Sequence, residues 1–351
     1  MTSDGHGGAT ATKRRTPLDI DAILRLLALG DYLLPYAIRA VCRLEIADRL
    51  AGGPLPLDEL ATRTGTDPAS LEKAMRYLAT REIFAEPEPG VFALTPLSDL
   101  LRRDHPYSAR DVYLSPVACT RAMEGLDHAI RTGEAAFDTV HGETMWDYFS
   151  RLPHEGALFD NAMSGVTALE MMGIVRAFDW SGASTVVDVG GGNGGFLAAL
   201  LPRFRHLRGT VFDLPAVVAN AEDVLAEAGV ADRCDIVPGS FLTDAIPAGA
   251  DVYVLKRILY SWSDEDATGI LRRVRAVMRD DSRLLILEAG RQDDESPALA
   301  RRMDLLMLTL SAGGTRSLTE QSRLLAGAGL ALTRSVTTPM FPVIEARVAA
   351  G

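Results

Sequence analysis

The sequence predicts an α/β fold, a parallel sheet with helices on both faces, preceded by a helical region with a winged-helix outline. Three observations carry this. Beyond residue 185, apolar runs of strand length alternate with amphipathic stretches of helix length, as in successive strand, helix, strand units. Thr185 to Val189 reads as a buried strand, stops at Gly190-Gly191-Gly192, and gives way to an apolar helical pattern from Phe196. From Leu18 to Leu50, apolar residues recur at helical spacing (Ile23, Leu26, Leu27, then Ile38, Val41, Leu44), interrupted by Gly30 and Pro35. That first region carries more apolar surface than a single layer hides.

Taken in order, Leu57 to Arg63 forms a short helix and Gly65-Thr66-Asp67 a turn. Asp67 then caps a second helix that opens on Pro68 and runs to about Arg81. Ile83 to Ala85 and Val91 to Leu94, either side of Glu86-Pro87-Glu88-Pro89-Gly90, read as a hairpin. Lys73, Arg76 and Arg81 would suit a ligand-sensing DNA-binding regulator. Glu72, Glu86 and Glu88 would face phosphates in that docking, which favours a structural or dimerising domain.

Between Arg102 and Trp180 the pattern is again helical and rich in aromatics and methionine: Met145-Trp146-Asp147-Tyr148-Phe149, then Phe159, Met163, Met171 and Met172. Such residues commonly fill cores, but flexible thioethers and flat rings also wall a site for a planar substrate. The alternation that follows places a strand at Gly209 to Asp213, a helix at Pro215 to Ala228 and a strand at Cys234 to Val237. Next come a strand at Asp251 to Leu255, a helix at Asp264 to Met278 and a strand at Arg283 to Leu287. Helices at Pro297 to Ser311 and Thr319 to Ala328, then a hairpin of Leu330 to Val336 with Val343 to Val348, close the chain.

Composition bounds the function. The chain has 351 residues, 47% apolar and 24% charged, room for two or three domains of a globular enzyme. With 36 basic against 47 acidic residues the net charge is −11, which argues against general affinity for nucleic acid or anionic membrane. No apolar run reaches the ~18 residues of a membrane span. Cys42, Cys119 and Cys234 are widely spaced, as in a cytoplasmic protein, and the six histidines form no metal-ligand pattern. Met1 to Arg15 is expected to be a disordered tail.

The glycine turn is the strongest chemical signal. Glycines there supply unusual dihedrals and let a ligand approach the backbone, and Asp213, ending the next strand, is placed for ribose hydroxyls. Gly190, Gly192 and Gly195 also satisfy G-x-G-x-x-G, so the turn alone does not choose between NAD and S-adenosylmethionine. Ligands of such sheets bind at the carboxyl ends of the strands, where Gly190, Asp213, Ser240 and Lys256 all fall.

Four ordered motifs make that choice. VVDVGGGNGG, FDLPAVV, VPGSFLTDAIPAGADVYVLKRILYSWSDEDA and MDLLMLTLSAGG resemble those of the caffeate and acetylserotonin type of S-adenosylmethionine-dependent O-methyltransferase, with the bacterial natural-product branch nearest. The resemblance runs from about Leu18 to the end. It implies a class I methyltransferase, Rossmann-like sheet behind a winged-helix dimerisation domain, and a homodimer. It implies four regions: a tail (1–16), the dimerisation domain (17–110), a helical linker contributing to the substrate pocket (111–180) and the cofactor domain (181–351).

By the same resemblance, Gly190 and Gly192 line the methionine part of S-adenosylmethionine, Asp213 with Leu214 meets the ribose, and Lys256 ends the fourth strand. The adenine motif, G-D-F or G-D-M in the family, reads Gly239-Ser240-Phe241 here. Phe241 stacks on the base and Ser240 accepts a weaker hydrogen bond than a carboxylate would. Trp146, Phe149, Phe159, Met163, Met303 and Met307 are expected to wall the substrate. No metal is expected.

The departures concern catalysis. Where the family has its histidine base, in L-H-D-W, this chain has Leu259-Tyr260-Ser261-Trp262. Glu288 matches one of two glutamates that flank that histidine in plant members, and Arg316 stands near the place of the other. Tyr260 and Glu288 are therefore the catalytic candidates. A tyrosine with an ordinary pKa of about 10 is a poor base at neutral pH, so the expectation is methyl transfer to a phenol or enol driven by proximity. The alternatives are a relative with a changed reaction (hydroxylase, decarboxylase, N- or C-methylation) and the DNA-binding regulator.

Overall fold

The computed structural model describes residues 19–291, 298–311, 313–338 and 340–350. The tail at Met1 to Arg15, the helix starts at Leu18 and Pro297, and the side chain of Met172 lie outside what is described. Seven strands form the main sheet: β1 Thr185–Val189, β2 Arg208–Asp213, β3 Cys234–Pro238, β4 Val252–Lys256, β5 Arg283–Leu287, β6 Leu330–Val336 and β7 Val343–Val348. Their order is β6-β7-β5-β4-β1-β2-β3; β1 to β5 are mutually parallel, and β7 runs antiparallel to both β5 and β6.

Period-two alternation divides each strand between two cores. Val186, Val252, Val254, Leu285 and Leu287 pack on one face with Ile174, Phe196 and Leu225 of the covering helices. Val187, Val189, Tyr253, Leu255 and Ile286 pack on the other with Ile270, Leu271 and Leu325. Asp188 falls on the first of these faces, fully buried at the ligand end of β1. β1 ends where Gly190 takes φ 74°, and the Gly190 N–H donates to Phe212 O at 2.8 Å, tying the turn to β2.

Two expected helices differ. Pro215 to Ala228 is not continuous: Leu214 O accepts from both Val217 and Val218, giving a turn and a short 3₁₀ segment, Val218–Asn220, before the helix Ala221–Glu227. Pro35 does not interrupt a helix but sits in the first turn of Leu33–Arg43, where its missing N–H costs nothing. The break falls at Gly30-Asp31-Tyr32, at the glycine that the sequence marks.

The N-terminal region is a winged helix: helices Leu57–Thr64 and Pro68–Ala79, with the hairpin Phe84–Glu88 and Val91–Leu94 joined by a third strand, Leu55–Pro56, which sequence patterning does not show. Asp67 caps the second helix by accepting from Ser70 N–H at 2.9 Å. Ile46, Leu60, Met75, Leu78, Phe84 and Phe92 form its core. The helix Ile20–Leu29 ahead of it has no buried residue and exposes Leu24, Leu26, Leu27 and Leu29 at 59–77%. Joining the two regions is the long helix Pro153–Ala177, which opens on Pro153.

Candidate active site

A cavity of about 450 Å³ lies at the carboxyl ends of β1, β2 and β4, under side chains from the helices Met145–Arg151, Pro153–Ala177 and Ala298–Leu310. Gly190, Gly192, Asp213, Leu214, Ser240, Phe241 and Lys256 line one end; Trp146, Phe159, Met163, Tyr260, Met303 and Met307 also line it. Two expected residues do not. Phe149 lies behind the wall, its ring centroid 5.1 Å from that of Phe159, because its helix turns that face into the aromatic core. Glu288 is buried away from the lining and is bonded on both oxygens, accepting from Tyr260 N–H at 3.1 Å and Gln321 Nε2 at 2.9 Å.

At the first end, the Asp213 carboxylate accepts from Gly192 N–H (2.8 Å) and Leu214 N–H (2.7 Å). Burial raises its pKa and these two donors oppose the rise. A Cβ at Gly192 would meet nothing within 4 Å, so the turn is open to a ligand. Ser240 Oγ accepts from Leu242 N–H at 3.2 Å, and Ser240 N–H donates to Asp244 Oδ2 at 2.8 Å. The Phe241 ring meets Trp262 edge-on at 5.9 Å. Asp188, at the cavity floor, has no hydrogen-bond partner on either oxygen among the described residues; burial pushes its pKa up, with Lys256 opposing.

Sequence reasoning missed a polar row on the long helix. Asp160, Ser164 and Thr167 line the cavity together with Met163, and Glu170 follows one turn later. Polar residues spaced three and four apart in an otherwise apolar helix were the available signal. Glu170 Oε2 accepts from Arg257 Nη2 at 2.7 Å and Lys256 Nζ at 3.5 Å, and Lys256 Nζ also donates to Thr167 Oγ1 at 3.2 Å. Burial lowers the Lys256 pKa, with Arg257 adding and Glu170 opposing. Asp160 is pushed up to about 7 by burial, and Asp213 adds to the rise.

Tyr260 lies on a loop whose main chain is held from three sides. Arg316 Nη1 donates to Leu259 O (2.8 Å) and Nη2 to Trp262 O (2.7 Å), Gly314 N–H donates to Tyr260 O (2.8 Å), and Glu288 accepts the Tyr260 N–H. Arg316 thus acts on the loop, not in the cavity. Burial pushes the Tyr260 phenol well above its ordinary range, with Arg257 opposing and Glu288 and Glu170 adding. A phenol so held is not a base near neutral pH.

A doubly wound sheet, a glycine turn beside a strand-end acid, and a large apolar cavity against them define an enzyme that modifies small molecules with a nucleoside cofactor. The match to an O-methyltransferase domain covers residues 123–331, and that to an O-methyltransferase dimerisation domain residues 26–104. The chain belongs to this O-methyltransferase family. It is 39% identical over 311 residues to the mitomycin biosynthesis 6-O-methyltransferase of Streptomyces lavendulae, covering 88% of each chain. The solved structure of LaPhzM superposes with a TM-score of 0.88 at 35% identity, over 94% of this chain and 100% of that one. NcsB1 of neocarzinostatin biosynthesis, solved with S-adenosyl-L-homocysteine and 1,4-dihydroxy-2-naphthoic acid, gives 0.76 at 34% identity over 92% and 98%. A relative from Streptomyces purpurascens that is 36% identical over 344 residues, 94% of this chain and 91% of that one, is named aclacinomycin 10-hydroxylase RdmB.

The chain is an S-adenosylmethionine-dependent methyltransferase. Its residues fit that cofactor: Asp213 offers a carboxylate to vicinal hydroxyls, Gly192 leaves room, and the unpartnered, buried Asp188 suits a cationic ligand. Among the described residues, no group of three or more His, Cys, Asp or Glu is arranged to hold a metal ion.

Proposed function

We propose that the acceptor is a phenolic or enolic small molecule of bacterial natural-product biosynthesis, O-methylated without a histidine base. The observation that carries this is the second end of the cavity, where flat and flexible apolar side chains (Trp146, Phe159, Met163, Met303, Met307) surround a tyrosine that burial keeps protonated. The cofactor, when bound, supplies an electrophilic methyl group. The protein's part is placement: Gly190, Gly192, Asp213, Leu214, Ser240, Phe241 and Lys256 fix one reactant, the apolar walls fix the other, and Tyr260 orients the acceptor oxygen from its braced loop. Bringing the reacting atoms to ~3 Å in line supplies more rate than general-base help of ~10²–10⁴-fold. Glu288 acts through the loop main chain.

The assembly we propose is a homodimer built on the exposed helix Ile20–Leu29 and its neighbours, acting in the cytoplasm without nucleic acid or membrane; the dimerisation-domain match and the net charge of −11 support it. Among the described residues no helix is long and apolar enough to cross a membrane. Incubation with methyl-labelled cofactor and a panel of phenols, enols and amines tests the reaction. Label in an ether product is the expected result. Tight cofactor binding with no transfer to any acceptor would instead favour the hydroxylase-type reading, which the hydroxylase relative and the tyrosine at position 260 make specific.

A further inference from the structure

Arg257 was assigned no role by the motifs, yet its placement is costly. It follows β4 with φ 59°, a left-handed conformation that a side chain disfavours, and its N–H donates to Leu287 O at 2.9 Å. Its side chain is only 8% exposed and lines the cavity. One edge of the guanidinium is committed: Nη2 donates to Glu170 Oε2 (2.7 Å) and Met163 O (2.9 Å). The rest is poorly served. Nη1 faces only the thioether of Met163, at 3.2 Å, and Nε is buried without a partner among the described residues.

A thioether is a weak acceptor, and a buried cation with unused N–H groups calls for an anionic oxygen. Local charge agrees. Glu170 is one carboxylate shared by two cations, Lys256 and Arg257, while burial disfavours the charged form of Asp188 beside them. Asp160 and Asp213 line the cavity near each other, Asp147 lines it from another helix and accepts from Thr144 Oγ1, and Tyr260, close enough to Arg257 to feel its charge, is held neutral by burial. Methyl transfer needs the acceptor as a nucleophile, and among the described residues no histidine lines the cavity.

We propose that Arg257 receives the acceptor's reacting oxygen in place of the Met163 thioether and holds it as an oxyanion, so that this enzyme takes acidic acceptors: hydroxyquinones, enols and phenols carrying electron-withdrawing groups. This rests on the methyl-transfer reading. The acceptor's proton passes to solvent on binding; its oxygen then forms a bond to the methyl carbon as the carbon–sulfur bond breaks, the electron pair remaining on sulfur. Arg257 thereby supplies by charge what a histidine supplies by proton abstraction.

The test uses the full chain saturated with S-adenosylhomocysteine, which allows no turnover, and 4-nitrocatechol, whose phenolate absorbs visible light. The bound probe is expected to ionise at least about one pH unit below the free probe, roughly a tenfold change in its ionisation constant. Arg257→Met abolishes that shift and Arg257→Lys keeps part of it, while calorimetry shows S-adenosylhomocysteine affinity within about threefold of wild type. If Arg257→Met does not fold, Arg257→Gln, which keeps a neutral donor toward Glu170 and leaves the Lys256–Glu170 pair intact, carries the same expectations.

Three results overturn the proposal. The wild-type complex leaves the visible titration of 4-nitrocatechol unchanged, by not binding it or by not shifting it. Arg257→Met shows the same shift as wild type. Or the variant loses more than about tenfold in S-adenosylhomocysteine affinity, which gives the guanidinium to the cofactor. Because ionisation is read without transfer, a labelled-methyl panel that fails while the shift persists sinks the methyl-transfer reading and leaves Arg257 as an oxyanion-binding residue with no part in methyl transfer.

Discussion

The two ends of the cavity are built by different means. At the cofactor end, the contacts run between main chain and neighbouring strand ends: Asp213 to Gly192 and Leu214, Gly190 to Phe212, Ser240 to Leu242. At the acceptor end, the walls come from helices far apart in sequence, Met145–Arg151, Pro153–Ala177 and Ala298–Leu310, meeting a loop whose own shape is fixed from behind. Local chain geometry defines the first; packing defines the second. The first should therefore be intolerant of substitution in binding, and the second intolerant only where its brace is cut.

The largest effect should come from that brace. Arg316→Ala leaves Leu259 O and Trp262 O without their donor, and an unmet buried carbonyl costs about 1–3 kcal/mol. A loss of roughly 2–4 kcal/mol is expected from the urea midpoint at unchanged slope. A shift under about 1 kcal/mol would show that packing alone holds the loop. The brace also has a pH signature. Burial pushes Glu288 up to about 7 from 4.5, with Arg316 opposing. The folded state therefore binds a proton between those values that the unfolded state has released, and stability from this group falls as pH rises through the window. Stability measured from pH 4.5 to 7 should decline less steeply in Glu288→Gln; an unaltered slope would remove Glu288 as its source.

At the cofactor end, Asp213→Ala should weaken S-adenosylmethionine binding by roughly 1.5–3 kcal/mol, about 10- to 150-fold, by calorimetry. Unchanged affinity would break the assignment of that residue and, with it, the contrast between the ends. Tyr260→Phe should slow turnover by less than about a hundredfold, with smaller losses for more acidic acceptors. A larger loss that vanishes at high pH would make Tyr260 a base after all. The smallest effect belongs to the wall: Met307→Leu should cost under about 1.5 kcal/mol of stability and reorder acceptor preference at constant cofactor affinity. A fall in cofactor affinity would show the two ends to be coupled.

The same contrast explains what was legible in the sequence. Strand alternation, the glycine turn and the acid ending β2 are short-range signals, so the sheet and the meeting of Gly192 with Asp213 could be read directly, while the choice of cofactor came from the family resemblance. The split of the Pro215 to Ala228 segment was hidden because it depends on Leu214 O accepting two N–H groups, a choice made by the turn holding Asp213. Phe149 was misplaced because periodicity shows that a helix face is apolar, and not which cavity or core it meets. Glu288 and Arg316 were found as residues of interest through the family resemblance, but their action on main-chain groups requires the loop in three dimensions. Arg257 follows Lys256 directly, and two adjacent basic residues in a sequence carry no sign that both side chains are held inside.

The backbone of the loop around position 260 is held by hydrogen bonds to its main-chain atoms: its amide to Glu288, its carbonyl to Gly314, and the flanking carbonyls to Arg316. Gly313 lies so close that a Cβ there would fall 2.1 Å from Tyr260 O, which closes the frame without touching the side chain. Position 260 is thus a tool post whose clamp grips the backbone and leaves the side chain to be fitted by the core around it. Exchanging the residue at position 260 leaves these main-chain hydrogen bonds in place, so a new side chain there is limited by the packing around it, in a cluster with Phe149, Met303 and Met307, rather than by the shape of the loop.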